Sequence, residues 1–167
     1  IKNMQAKEHS GYMYILSAYD TYSKFLSAFP MKDRTSVSIV AAAKKIIADF
    51  KRVGAPIRGL QSDGEFTSAG FLALLQSENI KHWKSLPYNP SSNGSVERSN
   101  AVLARAIGTR ERQFDKKNWD QALSGNKKGL INGYNKTWQS SIRTTPLDAI
   151  EAFKNQDAAE LATMSTL

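Results

Sequence analysis

A loop rich in turn-forming residues runs directly into a helical segment between Leu86 and Arg105, and this junction constrains what the rest of the chain can form. Pro87 restricts the backbone of the loop half, whereas Gly94 frees it. Ser95 is a residue type that caps helices, so Glu97 falls in the first turn of the predicted helix. A carboxylate at that place either interacts with the helix dipole or reaches outward to hold a ligand, and the stretch alone favours neither.

A second carboxylate, that of Asp63, follows a predicted strand and precedes the turn residue Gly64. The sequence separation between Asp63 and Glu97 is 34 positions. This interval holds one predicted helix, Ser68 to Ser77, and one short predicted strand, Ile80 to Lys84. We expect a strand end and a helix start separated by such a unit to direct both carboxylates into one crevice.

The remaining segments alternate between strand and helix patterns. Strands are predicted at Ile1–Ala6, Tyr12–Asp20, Ser23–Pro30 and Ile57–Ser62, and helices at Ser36–Arg52, from Ser95 to about Phe114, at Asn118–Tyr134 and at Thr145–Phe153. The helix that connects the hairpin to the strand ending at Ser62 predicts a right-handed crossover, with that strand parallel to the first.

Three blocks of the sequence resemble the catalytic core of retroviral, retrotransposon and Polinton-type integrases. They are SDGEFTSAGF, LPYNPSSNGSVERSN and GYNKTWQSSIRTTPLDAI. The resemblance covers about Met4 to Phe153. It implies an α/β, ribonuclease-H-like fold with a five-stranded mixed sheet flanked by helices. The implied core spans residues 1–154 and is followed by a C-terminal tail at 155–167, either frayed or an appended helix.

The resemblance also implies a function, which is metal-dependent processing of a transposable element's 3′ ends and DNA strand transfer. Asp63 and Glu97 match the second and third catalytic carboxylates of the family, and they would serve as metal ligands. The implied cofactor is a pair of Mg²⁺ or Mn²⁺ ions, because hard cations prefer oxygen ligands. Two such ions, about 3.5–4 Å apart, hold the attacking and leaving oxygens of an in-line displacement.

Further residues match family positions that contact DNA near the reacting phosphate. They are Tyr88, Asn89 and Asn93 in the loop. On the predicted helix, Arg98 and Arg105 lie one and eight positions beyond Glu97, and at 100° per residue Arg105 returns close to the Glu97 face, so it is a candidate phosphate contact. Turn formation would account equally well for the three loop residues. Arg98 is equally well explained as a solvated charge or a salt-bridge partner.

The first catalytic carboxylate of the family has no match within the chain. Aligning Asn3 with the corresponding phrase of Polinton-type elements places that Asp immediately before Ile1, so the activity of this chain by itself stays open. Asp20 matches an Asp of the family that is not a metal ligand, and capping of its own turn is a sufficient role. The turn after Asp63 is two residues shorter than in most relatives, which either re-aims Glu65 toward the crevice or tightens the loop.

Composition limits the partners and the chemistry. The formal net charge of +8 favours a polyanionic partner, here DNA as element ends and target. The sequence has no cysteine, which excludes disulfides, a thiolate nucleophile and cysteine-ligated zinc within it. We expect no membrane association, a homodimer or higher assembly, and a location in the nucleus or an integration complex if the source is eukaryotic.

Two alternatives to an active integrase remain. The first is a domesticated or truncated core that binds DNA or protein without catalysis. The second, another ribonuclease-H-like nuclease, is disfavoured by the NGSVER and YNKTWQSS blocks. For the assembly, candidate interface segments are Ser36–Arg52 and Asn118–Tyr134, with Trp119 and Trp138 as candidate anchors. We expect Trp83, Trp119 and Trp138 to be packing residues or interface anchors in preference to base-stacking platforms.

Overall fold

A computed structural model describes residues 1–3, 11–62, 64, 66–84, 98, 100–109, 119–123 and 129–164. Its strands are β1 (Lys2–Asn3), β2 (Tyr14–Tyr19), β3 (Leu26–Met31), β4 (Gly59–Ser62) and β5 (Lys81–Lys84). Its helices are α1 (Ser36–Val53), α2 (Ala69–Ser77), α3 (residues 100–109), α4 (Trp119–Leu123), α5 (Leu130–Asn135) and α6 (Pro146–Met164). Among these residues no helix combines the length and hydropathy needed to cross a membrane.

Strands β1, β2 and β3 form an antiparallel sheet in that order. Leu16 lies opposite Phe29, and Ser17 lies opposite Ala28. Because neighbouring residues of a strand point to opposite faces, Leu16 and Ser17 face different layers of the protein.

The first hydrophobic cluster covers the sheet face that carries Leu16, and α1 and α2 supply most of it. Its buried members are Leu16, Phe25, Met31, Ile39, Ala42, Ala43, Ile46, Ile47, Phe50, Phe66, Phe71, Leu74, Leu75, Ile80 and Ile150. Thr35 caps the start of α1 by accepting a hydrogen bond from the backbone N–H of Ser38. Gly54 ends α1 in the left-handed conformation at φ 81°, which a residue without a Cβ adopts at little cost.

The second hydrophobic cluster covers the opposite face of the same sheet and is formed by α3, α4 and α5. Its buried members are Ile15, Leu26, Ala28, Leu103, Ile107, Trp119, Leu123 and Ile131. The three-stranded sheet therefore lies between two helical layers, which is an α/β architecture.

A buried amide at the end of α5 pairs with the backbone of β3, which is an edge strand of the sheet in the described part of the chain. The Asn135 side chain accepts a hydrogen bond from the backbone N–H of Leu26 at 2.9 Å. It also donates to the carbonyl oxygen of Leu26 at 2.8 Å, and the residue is 3% exposed. These two bonds fix α5 against the sheet edge and satisfy polar groups that would otherwise be buried unpaired.

Strands β4 and β5 pair in parallel, with Gly59 opposite Lys81 and Ser62 opposite Lys84. Helix α2 is the crossover between them. In the described residues β4 pairs only with β5, so the predicted parallel arrangement of this strand with the first strand stays a prediction. Helix α2 is joined to α1 by a hydrogen bond between Ser36 and Ser68 of 2.8 Å.

Three predictions differ from the structure. The described residues form a three-stranded and a two-stranded sheet, not one sheet of five strands. In these residues β1 is two residues long and pairs only with β2, so it does not join the two sheets; residues 4–6 of the predicted first strand lie outside the described part. The predicted helix Asn118–Tyr134 comprises two short helices, and Gly129 is the N-cap of the second. The last helix ends at Met164, not Phe153.

Candidate active site

The end of β4 is held by side chains on its inner face. Ser62 is the last residue of this strand, and its hydroxyl lies 2.8 Å from Nε2 of His82. The His82 ring contacts the edge of Phe71 at 5.9 Å between centroids. Phe66 returns to the first cluster as predicted, 5.3 Å from the Phe71 ring. The residues on either side of the predicted Asp63 turn are thus fixed to the same core.

The start of α3 is held against β2. The Ser17 hydroxyl donates a 2.7 Å hydrogen bond to Oδ1 of Asn100. One turn and two turns further on, Leu103 and Ile107 are 3% and 0% exposed in the second cluster. Asn100 therefore lies on the inward face of the helix, and its hydrogen bond fixes both the rotation and the position of the helix relative to the sheet.

Sequence reasoning missed Asn100, although one signal was available. Asn100 follows Glu97 by three positions, a spacing that puts two residues on neighbouring parts of one helix face. The partner, Ser17, carries no comparable signal, because a serine in a strand is compatible with many roles.

The two arginines predicted to contact DNA are exposed. Arg98 and Arg105 differ by seven positions, so at 100° per residue they share the face of the helix opposite Asn100. Arg98 also lies close enough to Tyr19 to lower the pKa of its hydroxyl. This stripe faces solvent and leaves both guanidinium groups accessible to phosphate oxygens.

Tyr19 lies on the α3 side of β2, beyond Ser17. The pKa of Tyr19 is raised to about 12, and burial is the largest cause. The charge of Tyr134, the hydrogen bond between Tyr19 and Tyr134, and the charge of Asp20 act in the same direction, whereas Arg98 opposes the rise. The Lys24 ammonium lies 5.9 Å from the Tyr19 ring centroid. Tyr19 is therefore a neutral hydrogen-bonding group at physiological pH.

Asp20 caps the turn between β2 and β3, as predicted. Its Oδ2 accepts hydrogen bonds from the backbone N–H of Ser23 at 2.9 Å and from the Ser23 hydroxyl. Its Oδ1 accepts from the backbone N–H of Tyr22 at 3.4 Å. The carboxylate has a structural role that accounts for its presence.

The other predicted site residues remain predictions. Asp63, Glu65, Tyr88, Asn89, Asn93 and Glu97 lie outside the described residues. Within the described part, no three His, Asp or Glu side chains cluster in a way that could hold a metal ion. Of the residues that flank the predicted metal ligands, the structure describes Ser62, Gly64 and Arg98.

The tryptophans separate into two environments. Trp119 is fully buried in the second cluster, so it is a packing residue and is not available as an interface anchor. Trp83 and Trp138 are 54% and 61% exposed. Either exposed ring is available to a partner.

Comparison with known proteins gives sequence relatives and structural neighbours from retroviruses. No family model matches the chain. The Pol polyprotein of feline endogenous virus ECE1 is 32% identical over 124 residues, which cover 72% of this chain and 12% of the polyprotein. The chain thus spans only about a tenth of that relative.

Two solved structures share the fold. The catalytic core domain of BIV integrase matches with a TM-score of 0.68 and 23% identity, covering 86% of this chain and 89% of that domain. A simian T-cell lymphotropic virus intasome, solved with PP2A regulatory subunit B56 gamma, matches with a TM-score of 0.67 and 22% identity over 81% of this chain and 47% of that one. The resemblance predicted from the sequence motifs is confirmed: the chain is a homologue of retroviral Pol polyproteins, and it has the fold of an integrase catalytic core.

Proposed function

We propose that this chain is the catalytic core of an integrase from a retroelement or Polinton-like transposon, acting in 3′-end processing and DNA strand transfer. Asp63 and Glu97 would hold the divalent metal ions, Mg²⁺ or Mn²⁺. When bound, these ions activate the attacking oxygen and stabilise the leaving one. The proposal extends the family relationship to the chemistry of this particular chain.

The hydrogen bond between Ser17 and Asn100 is the observation that supports the proposal most directly. It links β2 to the helix whose first turn is predicted to contain Glu97. Asn100 follows Glu97 by three positions, so the bond constrains the direction in which the Glu97 carboxylate leaves the helix.

The register of β1 and β2 supports the same site from the other side. Lys2 lies opposite Ile15, and Asn3 lies opposite Tyr14. If a residue were added before Ile1 and the same register continued two positions back from Lys2, the added residue would lie opposite Ser17. Directly opposed residues of antiparallel strands point to the same face. An Asp at that position would therefore stand beside Ser17 and Asn100, next to the predicted Glu97.

The basic residues supply the DNA-binding part of the proposal. Arg98 and Arg105 share one exposed face of α3, and the chain carries a net charge of +8. Phosphate neutralisation by such a face gives affinity with little dependence on base sequence. Tyr88, Asn89 and Asn93 are proposed to contact the reacting end.

We also propose a homodimeric or larger assembly that uses the outer face of α1. Val37 on this helix is 79% exposed, and a shallow depression between α1 and α2 is lined by Val37, Val40, Ala41 and Gly70. An exposed apolar face on the helix that covers the first cluster is a candidate interface. Trp138 is the remaining candidate anchor from the sequence prediction.

The test is an activity assay with the chain extended by one residue before Ile1. The Asp-extended chain should join an end-mimicking DNA duplex to target DNA in Mg²⁺, and substitution of Asp63→Asn or Glu97→Gln should abolish joining. The matched control is the same chain extended by Asn, which should bind the duplex equally well without joining it. The present chain should have little or no joining activity.

Inactivity of the Asp-extended chain, with duplex binding intact, would favour a DNA-binding module without catalysis. Robust joining by the present chain would mean that the first carboxylate is misplaced. Asp20 or Glu65 would then be the residues to examine.

A further inference from the structure

The outer face of the β4–β5 sheet presents an exposed tryptophan. Trp83 lies opposite Gln61 in the parallel register and is 54% exposed. The alternate residues of these strands point inward, since Leu60 packs against the first cluster and Ser62 contacts His82. Trp83 is therefore not part of the core that its strand helps to build.

Gly59 leaves the space that the edge of the Trp83 indole ring occupies. A Cβ placed on Gly59 would lie 2.4 Å from Cζ3, 2.7 Å from Cη2 and 3.7 Å from Cε3 of Trp83. In a planar six-membered ring, these three distances put the Cβ position in the ring plane, beyond the Cζ3–Cη2 bond. Gly59 thus meets the edge of the ring and covers neither aromatic face.

The surroundings of the ring are basic. Lys81 shares its face of the sheet, Lys84 follows it in the chain, and both side chains are exposed. Among the described residues, no aromatic ring and no cation stacks on the faces of Trp83. An aromatic face that is fixed at its edge, open to solvent and accompanied by Lys81 on the same sheet face is complementary to a nucleobase with its phosphate. Lys84 starts from the opposite face at the end of the strand, and its exposed side chain adds to the positive charge there.

We propose that Trp83 is a stacking platform for a nucleobase in an unpaired stretch of DNA, with Lys81 and Lys84 neutralising the adjoining phosphates. Bases inside a duplex already stack on each other, so the platform selects unpaired nucleotides. Trp83 pairs with the strand that ends at Ser62, the residue before Asp63. The inference rests on the proposed DNA-binding function and adds a subsite for unpaired nucleotides beside the predicted active site.

The test compares single-stranded and duplex binding by variants of the full chain. Trp83→Ala should weaken binding of a labelled oligothymidylate by about 5- to 100-fold, the range expected for loss of one stacked base. The affinity for a hairpin duplex of equal charge should stay unchanged in fluorescence anisotropy titrations at fixed salt. Tyr22→Ala is the matched control, because it removes an aromatic ring that is 62% exposed and lies outside the proposed DNA-binding and interface residues, and it should change neither affinity.

Gly59→Ala tests whether the position of the Trp83 ring matters, because it displaces the ring without removing it. The added Cβ must displace the indole, so this variant should also lose affinity for the single strand. The double variant should bind no more weakly than Trp83→Ala alone, because both changes remove the same contact. Circular dichroism melts of each variant establish that the loss is not one of folding.

Three outcomes would overturn the platform. One is an equal loss of single-strand and duplex affinity in Trp83→Ala, which would indicate a contact without preference for unpaired bases. A second is unchanged DNA affinity with an altered oligomeric state in light scattering, which would make Trp83 a protein interface. The third is an unmodified chain that binds neither DNA, which would overturn the proposed function as well; the first two leave that function standing.

Discussion

Substitution of Asn135 by Ala should destabilise the fold more than any surface change, because it breaks a buried two-way hydrogen bond. The Asn135 amide pairs with both the N–H and the carbonyl of Leu26, and it is 3% exposed. An alanine leaves both backbone groups of Leu26 buried at the edge of β3 with no partner from α5. Each unsatisfied group costs about 1–3 kcal/mol, so we expect a loss of about 2–6 kcal/mol in the free energy of unfolding.

Chemical denaturation at neutral pH measures this loss, with Gln76→Ala as the control. Gln76 is exposed on α2, so its substitution should change stability by no more than about 0.5 kcal/mol. The melting temperature of Asn135→Ala should fall by about 4–24 °C, from about 2–4 °C per kcal/mol for a chain of this size. A loss no larger than that of the control would refute the role assigned to the amide.

Asn135→Asp adds a pH test of the same geometry. The ionised carboxylate accepts from the Leu26 N–H but has no proton to donate to the Leu26 carbonyl, whereas the protonated acid does both. Burial disfavours the charged form, so the pKa of the introduced Asp should rise above its unfolded value. The stability deficit relative to wild type should therefore be small at low pH and should grow as pH rises through that pKa. A deficit independent of pH would contradict the two-way bond.

Three further predictions follow from the site. Tyr134→Phe should lower the pKa of Tyr19 from about 12 but leave it above 10, because burial is the larger cause of the rise, and an NMR titration of the Tyr19 ring measures this pKa. The free energy of unfolding of the wild type should fall between about pH 10 and 12, as the neutral Tyr19 hydroxyl ionises. Ser17→Ala and Asn100→Ala, made in the Asp-extended chain, should each lower the joining rate more than the DNA affinity. If the effects of the two substitutions on the joining rate were fully additive in the double variant, the two residues would not act through their mutual hydrogen bond. Arg105→Ala should reduce the slope of log affinity for a duplex against log salt concentration by about one unit, whereas Asn93→Ala should leave this slope unchanged. Equal slopes for wild type and the Arg105 variant would mean that α3 does not face DNA.

Local sequence signals predicted most of the fold because their physical causes are local. Thr35 and Gly54 mark the ends of α1, and Ser68 caps α2 through a hydrogen bond from the Phe71 N–H. The last helix runs on to Met164, and the sequence left its tail open between a frayed segment and an appended helix, since the residues beyond Phe153 carry no strong apolar period. The division of Asn118–Tyr134 into two helices involves Gly129, whose extended backbone begins α5.

Non-local contacts explain what the sequence did not reveal about the site. Asn100 and Ser17 are 83 positions apart, and Asn135 and Leu26 are 109 apart. Each pair depends on which face of β2 or β3 meets which helix, and one residue of slip in the register would reverse that face. The carboxylates of Asp63 and Glu97, in contrast, were predicted from the resemblance of whole motifs to integrases, and they stay predictions.

The residues that the structure adds to the site are neutral or small, and this determines how they act. Ser17, Asn100 and Gly59 cannot supply charge to a reacting phosphate, so their contributions are positional. Ser17 and Asn100 hold a helix to a strand, and Gly59 leaves the space in which the Trp83 ring lies. Because a position is lost when either partner is altered, paired substitutions distinguish such residues from catalytic groups: the second change should add little to the first. A catalytic carboxylate behaves differently, since its loss should abolish joining whatever stands at Ser17 or Gly59.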